Sequence, residues 1–176
     1  MNDIDRAAEP LIQACAMLGA PRTFDPSEQE TLARWIALVT FLFEQTIEAP
    51  ITPPERLAEF SQTRNPPSGM HAALAVAEAP PGNFHLGGWV NVVHLESPRY
   101  VGDGHFCTFR IQYLVARAFI PPAHLAAALR GPEADFIVPV WPPSEEASWP
   151  PPKVIAHHQI ETFATAYIGS DSESPE

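Results

Sequence analysis

His85, His94, His105 and Cys107 are the first residues in this chain whose chemistry could be put to use. Imidazole nitrogen and thiolate sulfur hold zinc when three or four of them converge tetrahedrally. All four fall on segments with the texture of neighbouring strands, so the question is one of register. In an antiparallel pair only same-face residues at matched positions meet, and 8 to 10 intervening residues do not fix that match. They read as surface or strand-edge histidines, and no metal is expected. Cys107 sits in the middle of an apolar alternation, where a thiol behaves as a small hydrophobe.

The pair His157-His158 invites comparison with nucleases that set a general-base histidine beside metal ligands on a following helix. Adjacent residues point to different faces of a helix, and no Asn-His pair follows at usable spacing. These two read as polar residues at a helix N-terminus. No G-x-S-x-G, phosphate-binding loop or G-x-G-x-x-G is present, and Gly102-Asp103-Gly104 has the composition of a hairpin turn. Neither a catalytic residue nor a cofactor is expected.

The most specific feature is a doublet, Val140-Trp141-Pro142-Pro143 followed by Ser148-Trp149-Pro150-Pro151-Pro152. Proline fixes φ near −65° and removes a backbone donor, so neither triplet continues a helix or a central strand. The stretch reads as a stiff, extended loop with Glu145 and Glu146 between its two tryptophans. Those carboxylates could take a cation, and a solvated loop tip is the ordinary account of them. Aromatic rings on a preset backbone make contacts at low entropic cost. Trp141, Glu145, Glu146 and Trp149 are therefore the candidate binding residues. Exposed rings would form a binding edge; rings folded back would cap the core.

Several elements must position this loop. Ile4, Leu11, Ile12, Cys15 and Leu18 have near-helical spacing, with Pro10 as a start or a kink and Gly19 as the stop. Asp25-Pro26-Ser27-Glu28 sets an N-cap acceptor, a first-position proline and a capping-box glutamate in order. Behind it Leu32, Trp35, Ile36, Val39, Leu42, Phe43 and Ile47 form an apolar stripe, which predicts a central helix over 26–47. Thr52-Pro53-Pro54-Glu55 starts a short helix to about Gln62, and Asn65-Pro66-Pro67-Ser68-Gly69 ends the helical half.

Strands are expected over 71–78, 84–95, 106–119 and 136–140. In the third, Cys107, Phe109, Ile111, Tyr113 and Val115 alternate with Thr108, Arg110 and Gln112, the period of a half-buried antiparallel strand. Gly87-Gly88 suggests a bulge. Residues 121–130 read as a short helix, and Ile160, Phe163, Ala164 and Tyr167 mark a last one. The fold class is α+β: N-terminal helices packed on an antiparallel sheet of three to five strands, with a closing C-terminal helix. A single domain is expected over 1–168, helical in 1–64 and strand-rich in 65–168, with a flexible acidic tail at 169–176.

The charge balance narrows the partners. The 176 residues carry 21 acids against 10 Lys and Arg, a formal charge of −11, and Lys153 is the one lysine. Phosphate binding relies on clustered cations, so direct nucleic-acid binding is disfavoured. An acidic body suits a basic protein partner, including one that itself holds DNA or RNA. Proline, at 21 of 176 residues, is about twice its usual share and falls between apolar segments as punctuation. Two widely spaced cysteines, no apolar run near ~18 residues and no basic-then-apolar opening make the cytoplasm the expected compartment, with no membrane partner.

Leu32-Ala33-Arg34-Trp35-Ile36-Ala37, Asn65-Pro66-Pro67 before an alternating strand, the two Trp-Pro runs and Glu161-Thr162-Phe163-Ala164 together resemble the C-terminal body of a family of uncharacterised HNH-endonuclease-like proteins of bacteria and mobile elements. The resemblance covers about residues 4–168 and is most specific in the Trp-Pro part. Full-length members carry an N-terminal cysteine pair followed by Asn, Gly and Trp. This chain has no such pair and no HNH set, so the resemblance implies a shared body and carries over no catalytic residue. The function expected is a non-enzymatic, acidic protein-binding domain of phage or mobile-element type, one that inhibits a host nucleic-acid-binding defence complex by occupying its basic surface. The alternative is a divergent metal-dependent HNH-like nuclease, or an accessory subunit of one.

Overall fold

A computed structural model describes residues 3–17, 21–46, 52, 54–78, 82–93, 100–120, 135–156 and 159. Among these described residues, three helices and seven strands follow in the order α1 (Asp3–Ala16), β1 (Arg22–Phe24), α2 (Pro26–Glu44), α3 (Pro54–Thr63), β2 (His71–Val76), β3 (Gly82–Val93), β4 (Tyr100–Gln112), β5 (Leu114–Ile120), β6 (Ile137–Trp141) and β7 (Ala147–Trp149). The class is α+β, as its sequence predicts. The closing C-terminal helix, the helix over 121–130 and the tail lie outside the described residues.

The helices begin where local chemistry says they should. Asp25 caps α2 by accepting from the Glu28 backbone N–H at 2.8 Å, while Glu28 Oε2 accepts from the Asp25 N–H at 3.2 Å. Two otherwise orphaned donors are thereby satisfied. Arg22 ion-pairs with the same Glu28, tying β1 to the cap. The helix stops at Glu44, three residues short of the expected end. α1 runs through Pro10 without breaking, although that ring takes the helical donor from the Arg6 carbonyl.

A five-stranded antiparallel sheet has the order β3-β4-β5-β2-β6, and β1 pairs with β7 in a separate two-stranded sheet. Register gives the main sheet two distinct faces. Cys107 lies opposite Ala118, and Phe109 opposite Ala116. These join Leu74, Val76, Val138 and Val140 on the face that packs beneath Leu32, Trp35, Ile36 and Phe41 of α2. Phe109 meets Trp35 edge to face, ring centroids 5.2 Å apart at 74°. On the other face a smaller cluster gathers Ala75, Ala77, Val115 and Ile155.

Three expectations about the strands are corrected by the register. The single strand over 106–119 is two, β4 and β5, joined by a two-residue turn at Gln112-Tyr113 with Ile111 opposite Leu114. Tyr113 and Val115 therefore leave the Cys107 row, and Val115 faces the other way, opposite Arg110. Gly102-Asp103-Gly104 is no turn but the interior of β4, opposite Val92, Asn91 and Val90. Gly87-Gly88 pairs in continuous register, and the irregularity falls at Val92/Val93.

The missed turn has a physical signature. Gln112 adopts φ 56°, the left-handed region that hairpin turns fill with Gly or Asn, so the sequence offered none of the usual letters there. Asn83 supports it, its Oδ1 accepting from the Gln112 N–H at 3.2 Å. Gln112→Gly should relieve this conformation and stabilise the fold by about 0.5–1 kcal/mol, read as a higher urea midpoint. A lower midpoint would mean that the Gln112 side chain contributes more than its backbone costs.

Candidate functional site

The Trp-Pro loop is built from its two ends inward. β6 delivers Trp141, which is half-buried against the core, and β7 delivers Trp149, which is 2% exposed. Arg22-Thr23-Phe24 zips onto Trp149-Ser148-Ala147, so β7 holds the second triplet against the capped start of α2. Both Trp-Pro peptide bonds are cis. Between the ends, Pro142, Pro143, Ser144, Glu145 and Glu146 are exposed.

A side chain that the sequence reading passed over fixes this tip. Gln29, fully buried on α2, accepts from the Ser144 N–H at 2.9 Å and donates to the Ser144 carbonyl at 3.1 Å. The same amide donates to the Phe24 carbonyl at 2.9 Å. One glutamine thus holds β1, α2 and the loop together, as a fully satisfied buried amide can. Ser144 Oγ donates to the Glu146 carbonyl at 2.9 Å, closing the turn.

Of the four candidate binding residues, the structure brings Glu145 and Glu146 to one accessible tip, and Trp141 stands half-buried at its base on β6. Trp149 is folded back, and its indole caps the core instead of forming a binding edge. Its buried Nε1 has no hydrogen-bond partner among the described residues.

The histidine and cysteine readings resolve differently. His105 and Cys107 share the α2-facing side of β4, and both are buried. His85 lies opposite Phe109, four residues along the strand from His105, roughly 13 Å away. His94, His157 and His158 lie outside the described residues. Among the described residues no three His, Cys, Asp or Glu groups are placed to hold a metal ion.

His105 belongs to a buried polar cluster that sequence reasoning missed. Its Nδ1 lies 3.0 Å from Thr52 Oγ1 and 4.0 Å from Glu44 Oε1, and the Thr52 N–H donates to that same carboxylate oxygen. Thr52 is thus drawn into the core. Gln29, Ile36, Thr40 and Glu44 recur at helical spacing on the buried side of α2, whereas Leu42 of the predicted stripe is 57% exposed. Three polar residues, Gln29, Thr40 and Glu44, in register with Ile36 on that side were the available signal.

Cys107 is placed against this cluster and is held as the neutral thiol. Burial pushes its thiol up from 9.0 to about 12; Glu44 adds to the shift, and contact with Thr40 only partly offsets it. The contact is weak, for the Thr40 hydroxyl has no partner of hydrogen-bond geometry among the described residues. Nucleophilic sulfur is thiolate, and here the thiol stays protonated.

Surface charge is shaped by what is withdrawn from it. Arg110 and Arg117, two of the ten cations, are buried on the far face of the sheet. Arg110 donates to the carbonyls of Gln112 and Glu78 at 2.6 and 3.0 Å. Lys153 pairs with Asp135 and Arg34 with Glu30. Glu55, Glu59, Glu78, Glu145 and Glu146 are exposed without an ion-pair partner among the described residues. No helix of the described residues is long and apolar enough to cross a membrane. Compared with protein families, curated proteins and solved structures, the chain gives no match.

Cys15, like Cys107, is raised by burial from 9.0 to about 12, with Arg22 drawing it slightly back. Both thiols are neutral in the fold and ionise near their ordinary value once unfolded. Above that value the unfolded chain binds fewer protons, so stability falls as pH rises from about 9 towards 12. Between pH 8 and 10 the two together should cost about 2–3 kcal/mol. The double variant Cys15→Ala/Cys107→Ala should show a decline shallower by that amount in denaturant titrations; an identical decline would contradict the assignment.

Proposed function

We propose that this protein is a non-enzymatic binding domain that docks its acidic exterior on a basic protein surface. The observation that carries the reading is the distribution of charge: −11 overall, with two cations buried and Glu55, Glu59, Glu78, Glu145 and Glu146 exposed without an ion-pair partner among the described residues. Counter-charges on a partner would find these five carboxylates solvent-facing. Such surfaces speed encounter and select partners of opposite sign. The Pro142–Glu146 tip supports the same reading, because Gln29 has already ordered it before any partner arrives.

The kind of partner that fits is a protein whose basic surface holds DNA or RNA. Occupying that surface displaces the nucleic acid without any chemistry. The resemblance to mobile-element proteins supplies the setting we favour, interference with a host defence complex in the cytoplasm.

The test is a pull-down from host lysate using the full chain at low and high salt. A basic protein should be retained at low salt, released at high salt, and displaced when duplex DNA is added in excess. Recovery of no basic partner, or one that duplex DNA leaves bound, contradicts the proposal. DNA cleavage in the presence of Mg²⁺, Mn²⁺ or Zn²⁺ would instead favour the nuclease reading.

A further inference from the structure

The two edges of the main sheet are unlike. β6 is five residues long, contains Pro139 and leads straight into the Trp-Pro loop. A short strand with a missing N–H donor is a protected edge. β3, at the opposite edge, is twelve residues long and contains no proline and no Asp, Glu, Lys or Arg. It pairs on one side with β4, and no strand among the described residues pairs with its other side. An uncharged, proline-free edge of this length presents a row of backbone donors and acceptors ready for another strand.

The strand's own pattern says which strand fits. Its even positions run Phe84, Leu86, Gly88, Val90 and Val92, which register places on the same face as Arg110, Thr108 and Phe106. This series is symmetric in character about Gly88, with two apolar residues on either side. A two-fold axis normal to the sheet through Gly88 would set Leu86 opposite Val90 of a second copy, and Phe84 opposite its Val92. The odd positions would set His85 opposite Asn91. Apolar residues would meet apolar ones at each place of the even series, Gly87 would meet Trp89 in the odd one, and no charge would face a like charge. That is the self-complementarity an isologous contact requires. In a chain of net charge −11, a neutral edge is also the place where two copies approach with least repulsion.

We infer that β3 is a self-association edge, pairing antiparallel with β3 of a second copy about Gly88 to give one continuous ten-stranded sheet. The inference does not depend on the proposed function, and salt separates the two. Screening weakens docking on a basic partner but strengthens contact between two acidic copies.

The experiment is light scattering and sedimentation on the full chain across concentration and salt, followed by cysteine crosslinking. Twice the chain mass is expected, with the dimer fraction rising with salt, and Val90→Lys should return the mass to that of one chain. Gly88→Cys should crosslink to a covalent dimer through a short bis-maleimide, since the two introduced thiols face each other across the axis. Glu55→Cys, on the exposed start of α3, should not. Cys15 and Cys107 are buried and provide the unreacted background. A single-chain mass under all conditions overturns the inference. So does a dimer that Gly88→Cys fails to trap, because it would use another surface.

Discussion

The seat of α2 on the inner face of the sheet decides what every other element can do. Trp35 edge-on to Phe109, with Phe43 tilted against the same ring at 5.9 Å, fixes which side of β4 is inside. Once Phe109 is inside, Cys107 and His105 are inside with it, and Thr108 and Arg110 must face the other way. Burial then follows for reasons of register, not of reactivity. The thiol loses its acidity, and His105 meets Glu44 and Thr52 in place of solvent. A Cys, a His and a Glu close together look like a catalytic set in projection. Here they pack as a buried polar layer in which His105 and the Thr52 N–H share one oxygen of Glu44.

The same helix controls the loop on its other end. Gln29 lies one turn beyond the cap, and its amide reaches both Phe24 and Ser144. A surface loop of five residues is thereby held from beneath by a buried group, while β1 and β7 fasten the flank. The helical and strand-rich halves of the chain are interleaved at this point, since β1 belongs to the first and β7 to the second. A preset loop loses little entropy on binding, so in the proposed function the same clamp that orders the fold would lower the cost of docking the acidic tip. The burial of Arg110 and Arg117 leaves two of the ten cations out of direct reach of a docking surface.

Much of this was legible in the residues. The capping box at Asp25 and Glu28, the punctuation by proline pairs and the α+β order all rest on short-range chemistry, which a single chain displays openly. The Cys107–Ile111 alternation was legible for the same reason. The β4–β5 turn was not, because Gln112 takes a left-handed conformation without the Gly or Asn that normally announces it. The Gly-rich stretches misled in the opposite direction: Gly87-Gly88 and Gly102-Gly104 sit within paired strands. β1 is only three residues long, too short to announce itself as a strand, and its partner is β7. In the site, Glu145 and Glu146 at an accessible tip followed from the proline pairs around them. The inward turn of Trp149 goes with pairing to Arg22, 127 residues away in sequence, and the Gln29 clamp spans 115. Contacts of that range leave no local mark.

The central claim is that the acidic exterior, and not the buried Cys107–His105–Glu44 layer, carries the activity. The direct measurement is the affinity for the captured basic protein of two variants compared side by side. Glu145→Gln/Glu146→Gln removes charge from the tip, and Cys107→Ala removes the thiol. Our account predicts that the first weakens binding several-fold and the second leaves it unchanged once folding is matched. Binding lost with the thiol and kept without the tip carboxylates would contradict it.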